Sequence, residues 1–223
     1  MDFMKSFFSR IEGDDMGRNS AIIDIDTTQI ERLTKELKGY EKEVAEATRL
    51  ALNRTIDFTI TQAGREVSNL YAVKQKEVKD SFNGGIKKPT KTKLEASIMS
   101  KGHTLSLAHF PFTPKTAKRG KKSVFQNAVF VKIKKARGSV LVKNGFVGHT
   151  GATSAEKTQY NVFMREGKKR LPIMPIRTLS IPQMITNDNV GEKISLAASQ
   201  KLNERLEHEV VRIMTSTQKK VSK

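Results

Sequence analysis

A long apolar stripe on one helical face constrains the fold of this chain more than any other feature. Apolar side chains recur at spacings of three and four residues, which places them on one side of an α-helix. Thr28 followed by Glu31 forms a capping box that predicts where the helix begins, because each side chain satisfies a free backbone N–H group. The stripe comprises Ile30, Leu33, Leu37, Tyr40, Val44, Ala47 and Ala51.

The same pattern permits the helix to continue to about Leu70 unless Gly39 or Gly64 bends it. Heptad spacing also permits a coiled coil with another chain. The alanines at Ala47 and Ala51 instead favour close packing against a sheet or another helix of the same domain. We expect packing within the domain.

A second amphipathic helix is predicted near the end of the sequence. Asn189 with Glu192 three residues later predicts its start, and the residues from Thr215 onward are polar and are expected to fray. Its predicted buried face comprises Val190, Ile194, Ala198, Leu202, Leu206, Val210 and Ile213.

The middle of the chain has the alternating pattern of β-strands. A short strand at 21–26 precedes the first helix, and a short helix at 73–82 ends at the turn Asn83-Gly84-Gly85. Residues 95–100 and 104–109 alternate on either side of Lys101-Gly102-His103 and predict a hairpin. Further strands are expected at 124–134, 139–143, 146–147 and 160–165.

These elements predict an α+β fold, in which an antiparallel, strongly twisted sheet or partial barrel packs against a long N-terminal helix and a C-terminal amphipathic helix. One domain is expected at 21–214, because this length suits a single domain. It is flanked by a flexible N-terminal arm at 1–20 and a polar C-terminal tail at 215–223. It contains a basic loop at 113–123 and a proline-rich extended segment at 171–186.

Positive charge is concentrated in the middle of the chain. The formal net charge is +18, and no acidic residue lies between Glu95 and Glu156. Such a field attracts a polyanion or the acidic face of another subunit. A solvated loop and water-facing lysines are the plain alternative. The predicted polyanion or partner contacts are Lys115, Lys118, Arg119, Lys121, Lys122, Lys132, Lys134, Lys135 and Arg137.

Any contact with DNA is expected to reach phosphates rather than bases. A base-stacking platform needs interleaved aromatic side chains. Here Phe125 and Phe130 belong to an apolar strand pattern. Phosphate contacts position a protein on nucleic acid without reading its sequence.

The residue types for catalysis or cofactor binding do not form any recognisable constellation. The chain has no cysteine, which excludes disulfides, thiolate metal sites and cysteine nucleophiles. Its four histidines lack metal-ligand spacing, and its glycines match no phosphate-binding loop. We expect no enzyme activity, no metal and no cofactor. Without a signal peptide or a long apolar run, we expect a soluble protein made in the cytoplasm that does not contact a membrane.

One segment near the end of the predicted sheet has a different character. A strand at 160–165 leads into a basic turn and then an extended run that contains three prolines. Such a run suits an edge strand or a stiff arm that contacts another subunit, or it simply connects the sheet to the last helix. The predicted subunit-contact residues are Arg165, Arg170, Pro172 and Pro182.

These residues carry a resemblance to a known family. An arginine, a glycine, a basic pair and Pro172-Ile173, then Ser180-Ile181-Pro182-Gln183-Met184 before a closing helix, resemble the C-terminal half of phage minor tail protein Z and related tail-completion proteins. The helix that contains Ala51-Leu52-Asn53-Arg54 and the basic segment at 73–79 are similar to the first half of that family. The resemblance extends from about Ala21 to Ile213.

The resemblance implies a structural virion component that completes the tail near the end that joins the head. Its partners would be the tail tube, the tail terminator, the head-tail connector and the tape-measure protein, with possible phosphate contact to the genomic DNA end. It also implies a cyclic homo-oligomer such as a hexamer. A free nucleic-acid-binding protein is the alternative that the charge alone leaves open.

Overall fold

Two long antiparallel helices are the largest elements of this fold. The computed structural model describes residues 13–14, 18–23, 30, 32–33, 35, 37, 39–91, 93–116, 128–152 and 159–221. Helix α1 spans Glu41–Leu70 and α4 spans Asp188–Val221. The two helices pack along each other, and Ala51 and Leu52 of α1 bury against Leu202 and Leu206 of α4. The predicted packing within the domain is therefore confirmed.

Small side chains make up most of the buried face of α1. All of its buried residues except Leu52 and Ile56 carry no more than three side-chain heavy atoms, and small residues permit close packing of neighbouring elements. The alanines of the predicted stripe are among them. These small buried residues are Val44, Ala47, Thr48, Ala51, Thr55, Thr59, Ala63, Gly64, Val67 and Ser68.

Gly39 interrupts the predicted helix, whereas Gly64 does not. Gly39 adopts a φ of +94°, in the left-handed region that favours glycine, and α1 begins two residues later. The Glu41 carboxylate accepts a hydrogen bond of 3.0 Å from the Gly39 N–H group, and this bond lowers the pKa of Glu41. Ile30 is helical, and the Thr28 capping box lies outside the described residues.

The first sheet consists of four antiparallel strands, β1 Gly13–Asp14, β2 Arg18–Ile23, β3 Ile86–Lys87 and β4 Ser97–His103, in the order β1-β2-β4-β3. Its central strands β2 and β4 pair from Arg18↔His103 to Ile23↔Ile98. The short helix α2, Gln75–Asp80, precedes β3 in the chain. A second short helix, α3, Ile181–Ile185, packs on both central strands.

The predicted hairpin at 95–100 and 104–109 is wrong. Strand β4 runs straight through Lys101-Gly102-His103, and its partners are β2 and β3. Residues 104–109 instead contain a short 3-10 helix, Leu107–His109. The Leu105 N–H group donates to the Leu179 carbonyl at 3.2 Å, far along the chain. Both neighbours of β4 come from other parts of the chain, so local alternation did not identify them.

The remaining described strands form two three-stranded antiparallel sheets. One has the order β5-β6-β7 and the other the order β10-β9-β8. The α+β class is confirmed, and the strands form separate small sheets rather than one continuous surface. The strands are β5 Phe112–Thr113, β6 Val129–Val131, β7 Val140–Val142, β8 Phe146–His149, β9 Tyr160–Arg165 and β10 Ile173–Pro175.

Helix α3 replaces part of the predicted extended segment. The Ser180 hydroxyl accepts from the Gln183 N–H group, and the Gln183 side chain accepts from the Ser180 N–H group at 2.9 Å. This capping box, with Pro182 in the first turn, starts the helix. Helix α4 then begins at Asp188 and continues to Val221, so the backbone of residues 215–221, which was predicted to fray, is helical.

The buried residues divide into two clusters along α4. The larger cluster joins the sheets and α3 to the first turns of α4 through Val190 and Ile194. The smaller cluster lies farther along α4, at Leu202 and Leu206. One end of the molecule therefore carries the sheets, and the other end consists of the helix pair.

Candidate interaction surfaces

Basic residues lie at both ends of the β5-β6-β7 sheet. Lys115, a predicted contact, follows β5, and Lys143, which was not a predicted contact, follows β7. The pairings Thr113↔Phe130 and Val142↔Val129 place both lysines near Ala128, just before β6. Lys132 and Arg137 lie at the opposite end of the strands, beyond Val131. Four predicted residues, Lys118, Arg119, Lys121 and Lys122, lie outside the described residues.

Lys134 and Lys135 lie at the carboxyl end of α1. The Lys135 N–H group donates to the Leu70 carbonyl at 2.9 Å, and the Lys134 ammonium lies 5.7 Å from the centre of the Tyr71 ring. The last turn of α1 has no basic residue of its own. These two lysines therefore place positive charge at the negative end of the helix dipole, which is a structural role. Burial raises the pKa of the Tyr71 phenol.

An exposed apolar pair lies between the two basic groups. Phe130 and Leu141 are directly opposite each other on β6 and β7 and are 41% and 49% exposed. By strand alternation, Lys132 and Lys143 project from the same side of the sheet. One aromatic ring does not make a base-stacking platform. The surface combines apolar area with surrounding cations, a combination that suits an acidic protein face or phosphates.

The second surface is the hairpin formed by β9, the turn at 166–172 and β10, which we call the basic hairpin. Met164 and Met174 form an exposed cross-strand pair, and Leu171 is 65% exposed at the turn. The predicted contact residues Arg165, Arg170 and Pro172 are all exposed on this hairpin. The Arg165 guanidinium lies 5.0 Å from the centre of the Phe146 ring. The structure thus brings three of the four predicted subunit-contact residues together.

Pro182, the fourth predicted contact residue, is not part of the basic hairpin. It is buried in the first turn of α3, where its ring packs beside Gly102 of β4. Its role is to start the helix and to fill the space above the first sheet. We therefore restrict the contact surface to Arg165, Arg170 and Pro172.

The free edge of β10 is poorly suited to pairing with another strand. The Ile176 N–H group donates to the Val162 carbonyl, and the Glu166 N–H group donates to the Pro172 carbonyl. The backbone groups of alternate residues of β10 therefore point toward β9. The backbone groups of Ile173 and Pro175 point the other way, and Pro175 has no N–H group to donate. The basic hairpin therefore offers side chains, rather than backbone groups, to a partner.

A third exposed feature is a shallow, largely open depression along one face of α4 at the helix-pair end. Its volume is about 540 Å³. Val211 on this face is 65% exposed. The lining residues are Glu204, Glu207, His208, Val211 and Arg212.

A buried glutamate next to this face of α4 was not anticipated from the sequence. Glu209 has a fully buried side chain that accepts hydrogen bonds from Arg54 of α1 and, at 2.8 Å, from Arg212. It lies three residues after Leu206, so it falls on the predicted buried face of α4. A carboxylate at a helix-buried position is the signal that would have identified it.

The described residues show no arrangement for chemistry. His109 pairs with Glu77 at 2.9 Å, and His149 lies edge-on to Tyr160 with 5.3 Å between ring centres. Within the described part of the chain, no three acidic or histidine side chains group as metal ligands. None of the described helices is long and apolar enough to span a membrane.

Comparison with known proteins gives one match. The model of a family described as prophage minor tail protein Z (GPZ) matches residues 28–219. No curated protein and no solved structure matches the chain. The matched range contains α1, α4 up to residue 219, all but the first two described strands and the surfaces described above.

Proposed function

We propose, from the premise that this chain belongs to the prophage minor tail protein Z family, that it completes the phage tail at the end that joins the head. Membership makes it a minor tail protein, a structural component of the phage tail. The head-proximal position, the assembly into a ring and the identity of its neighbours are the proposal. The neighbours would be the tail tube, the terminator and the head-tail connector.

One observation supports an assembly role above the others. Exposed apolar side chains on two of the three sheets are each surrounded by clustered cations, at Phe130 with Leu141 and at Met164 with Met174. Exposed apolar area with a charged rim is typical of surfaces that contact other proteins. A protein that acts by binding to neighbouring subunits needs such surfaces and needs no catalytic site.

Removing this gene from the phage that encodes it is expected to leave particles almost without infectivity. Purified protein added to the defective extract should restore infectious particles, because a tail-completion protein acts on tails that are otherwise assembled. Plaque titre and electron microscopy of heads, tails and joined particles measure the outcome. Normal titre without the protein would contradict the proposed function.

Charge reversal in the predicted basic loop is expected to weaken assembly more than folding. The change replaces the four loop cations with glutamate, and the matched control replaces four cations on exposed surfaces elsewhere. Complementation titre and thermal melting are measured for both. The loop set is Lys118, Arg119, Lys121 and Lys122, and the control set is Lys42, Lys76, Lys87 and Lys88.

The same variants separate a protein partner from DNA. If the loop binds phosphates, the parent protein should bind duplex DNA with an affinity that falls steeply as salt rises, and the loop variant should show a smaller slope. If assembly is lost without any change in DNA binding, the loop contacts a protein. Equal titres for loop variant, control and parent would count against any role of the loop in assembly.

A further inference from the structure

Strand β7 has the sequence of a central strand but lies at the edge of its sheet. The order β5-β6-β7 places no described strand on its other side. Val140, Leu141 and Val142 are consecutive apolar residues, a pattern typical of strands that are covered on both faces. Here Val140 is 56% and Leu141 is 49% exposed, and successive residues project from opposite faces. Both faces of β7 therefore present apolar surface that an additional strand would cover.

The backbone of β7 is directed toward this free side at its middle residue. The Lys132 N–H group donates to the Pro111 carbonyl at 2.9 Å, so the backbone groups of Lys132 point toward β5. Successive residues point these groups in opposite directions, so Val131 points toward β7, and its partner Val140 points back toward β6. The N–H and C=O groups of Leu141, the next residue, therefore point toward the free edge.

β7 also lacks the features that protect a free edge. Proline and charged side chains commonly prevent an edge strand from pairing with another chain. The edge strand β10 contains Pro175, whereas β7 contains neither a proline nor a charged residue. The edge of β7 is therefore open to a further strand.

The surroundings of β7 are basic. Arg137 precedes the strand and Lys143 follows it, and both are exposed, while Lys132 directly follows β6. Among the described residues, no ion pair joins these three cations to a carboxylate. No acidic residue lies between Glu95 and Glu156 in the sequence. A second copy would bring the same cations to this edge, so like charges disfavour self-pairing, and a strand that carries carboxylates fits instead.

We propose that the free edge of β7 pairs with an extended acidic strand of another tail protein. This inference rests on the proposed assembly function and assigns one of its contacts to a particular strand. The partner strand would bond to the backbone of Leu141 and extend the sheet, while its carboxylates meet Arg137 and Lys143. Its apolar side chains would cover Val140 on one face and Leu141 on the other.

Labelled synthetic peptides test the contact on the purified full chain. The probe is a capped heptapeptide in which threonine and valine alternate between two terminal glutamates, and fluorescence anisotropy measures its binding. A version with lysines in place of the glutamates should bind roughly tenfold more weakly, because like charges then meet at Arg137 and Lys143.

Two N-methylated versions of the acidic peptide separate strand pairing from attraction between charges. One carries three methyl groups on alternate amides, which leaves one edge of the peptide able to pair, and it should retain binding. The other carries three methyl groups on consecutive central amides, which blocks both edges, and its binding should fall roughly tenfold. The two versions have the same charge and composition, so charge attraction alone would not distinguish them.

A proline substitution tests the edge from the side of the protein. Leu141→Pro removes the N–H group that points toward the free edge and should weaken binding of the acidic peptide roughly tenfold. The matched control Leu141→Thr keeps the backbone edge and should bind within about threefold of the parent. Circular dichroism compares the folding of both variants, and the peptide comparisons need only the parent protein.

Equal binding of the two N-methylated peptides, or of the acidic and basic peptides, would overturn the pairing of β7 with an acidic strand. A dimer of the parent chain that Leu141→Pro dissociates would overturn it in favour of a second copy. Salt-sensitive binding of duplex DNA without any peptide binding would overturn it in favour of phosphates. In each case the complementation test of tail completion still stands by itself. The expected peptide binding together with normal titre in a phage that lacks the gene would retain the β7 contact and overturn the proposed function.

Discussion

Gly85→Ala is expected to lower the free energy of unfolding by about 3 kcal/mol. A Cβ atom at this position would lie 2.0 Å from the backbone oxygen of Met99. The backbone cannot move away easily, because the Met99 N–H group donates to the Gly85 carbonyl at 2.9 Å. The added methyl group must therefore force β4 away from the turn that follows α2. Urea denaturation of the parent and the variant measures the difference.

Two other glycines provide the controls for this substitution. Gly138→Ala is expected to change stability by less than about 0.5 kcal/mol, because the added Cβ meets nothing within 4 Å. Gly84→Ala should cost about 1 kcal/mol from its φ of +75° alone, since the space around it is open. If Gly85→Ala proved as stable as Gly138→Ala, the close contact between this turn and β4 would be wrong.

The helices of this fold were predictable because their information is local. The spacing of Val44, Ala47 and Ala51 reports which face is buried, whatever covers it. The break at Gly39 was one of two glycine positions that could bend the helix, and only the structure shows which one does. Gly64 stays helical because it lies in the buried, closely packed part of α1, beside Lys79.

Strand partners were less predictable because they depend on distant segments. The alternation on both sides of Gly102 suited a hairpin, yet β4 pairs with β2, about 80 residues earlier in the chain. The helix at 181–185 had a readable local signal, Ser180 with Gln183 and a proline between them. The three prolines in the same stretch favoured an extended segment, so this helix was not predicted.

The candidate surfaces were likewise predictable where the signal is local, and not where it depends on contacts between distant segments. The sequence predicted the concentration of positive charge and the exposed basic turn with Arg165 and Arg170. It did not predict that Lys134 and Lys135 would lie at the end of α1, because that contact depends on the path of the chain after β6. The burial of Glu209 was missed for a related reason, since it depends on the packing of α4 against α1 and on the contact with Arg54.

Arg54→Met is expected to destabilise the helix pair by about 3 kcal/mol, because it removes one of two cations that neutralise the buried Glu209 carboxylate. The effect should be near the lower limit for a broken buried pair, since Arg212 remains. The matched control is Arg49→Met, one turn earlier on α1, where the partner Glu46 is exposed at 41% and can be solvated. That control should leave stability nearly unchanged.

Glu209→Met should be far less costly than Arg54→Met, within about 1 kcal/mol of the parent. The reason is an asymmetry in burial: Glu209 is fully buried, whereas Arg54 and Arg212 are about half exposed and regain water when the carboxylate is removed. A double-mutant cycle by urea denaturation measures the coupling, and a larger cost for Glu209→Met than for Arg54→Met would contradict it.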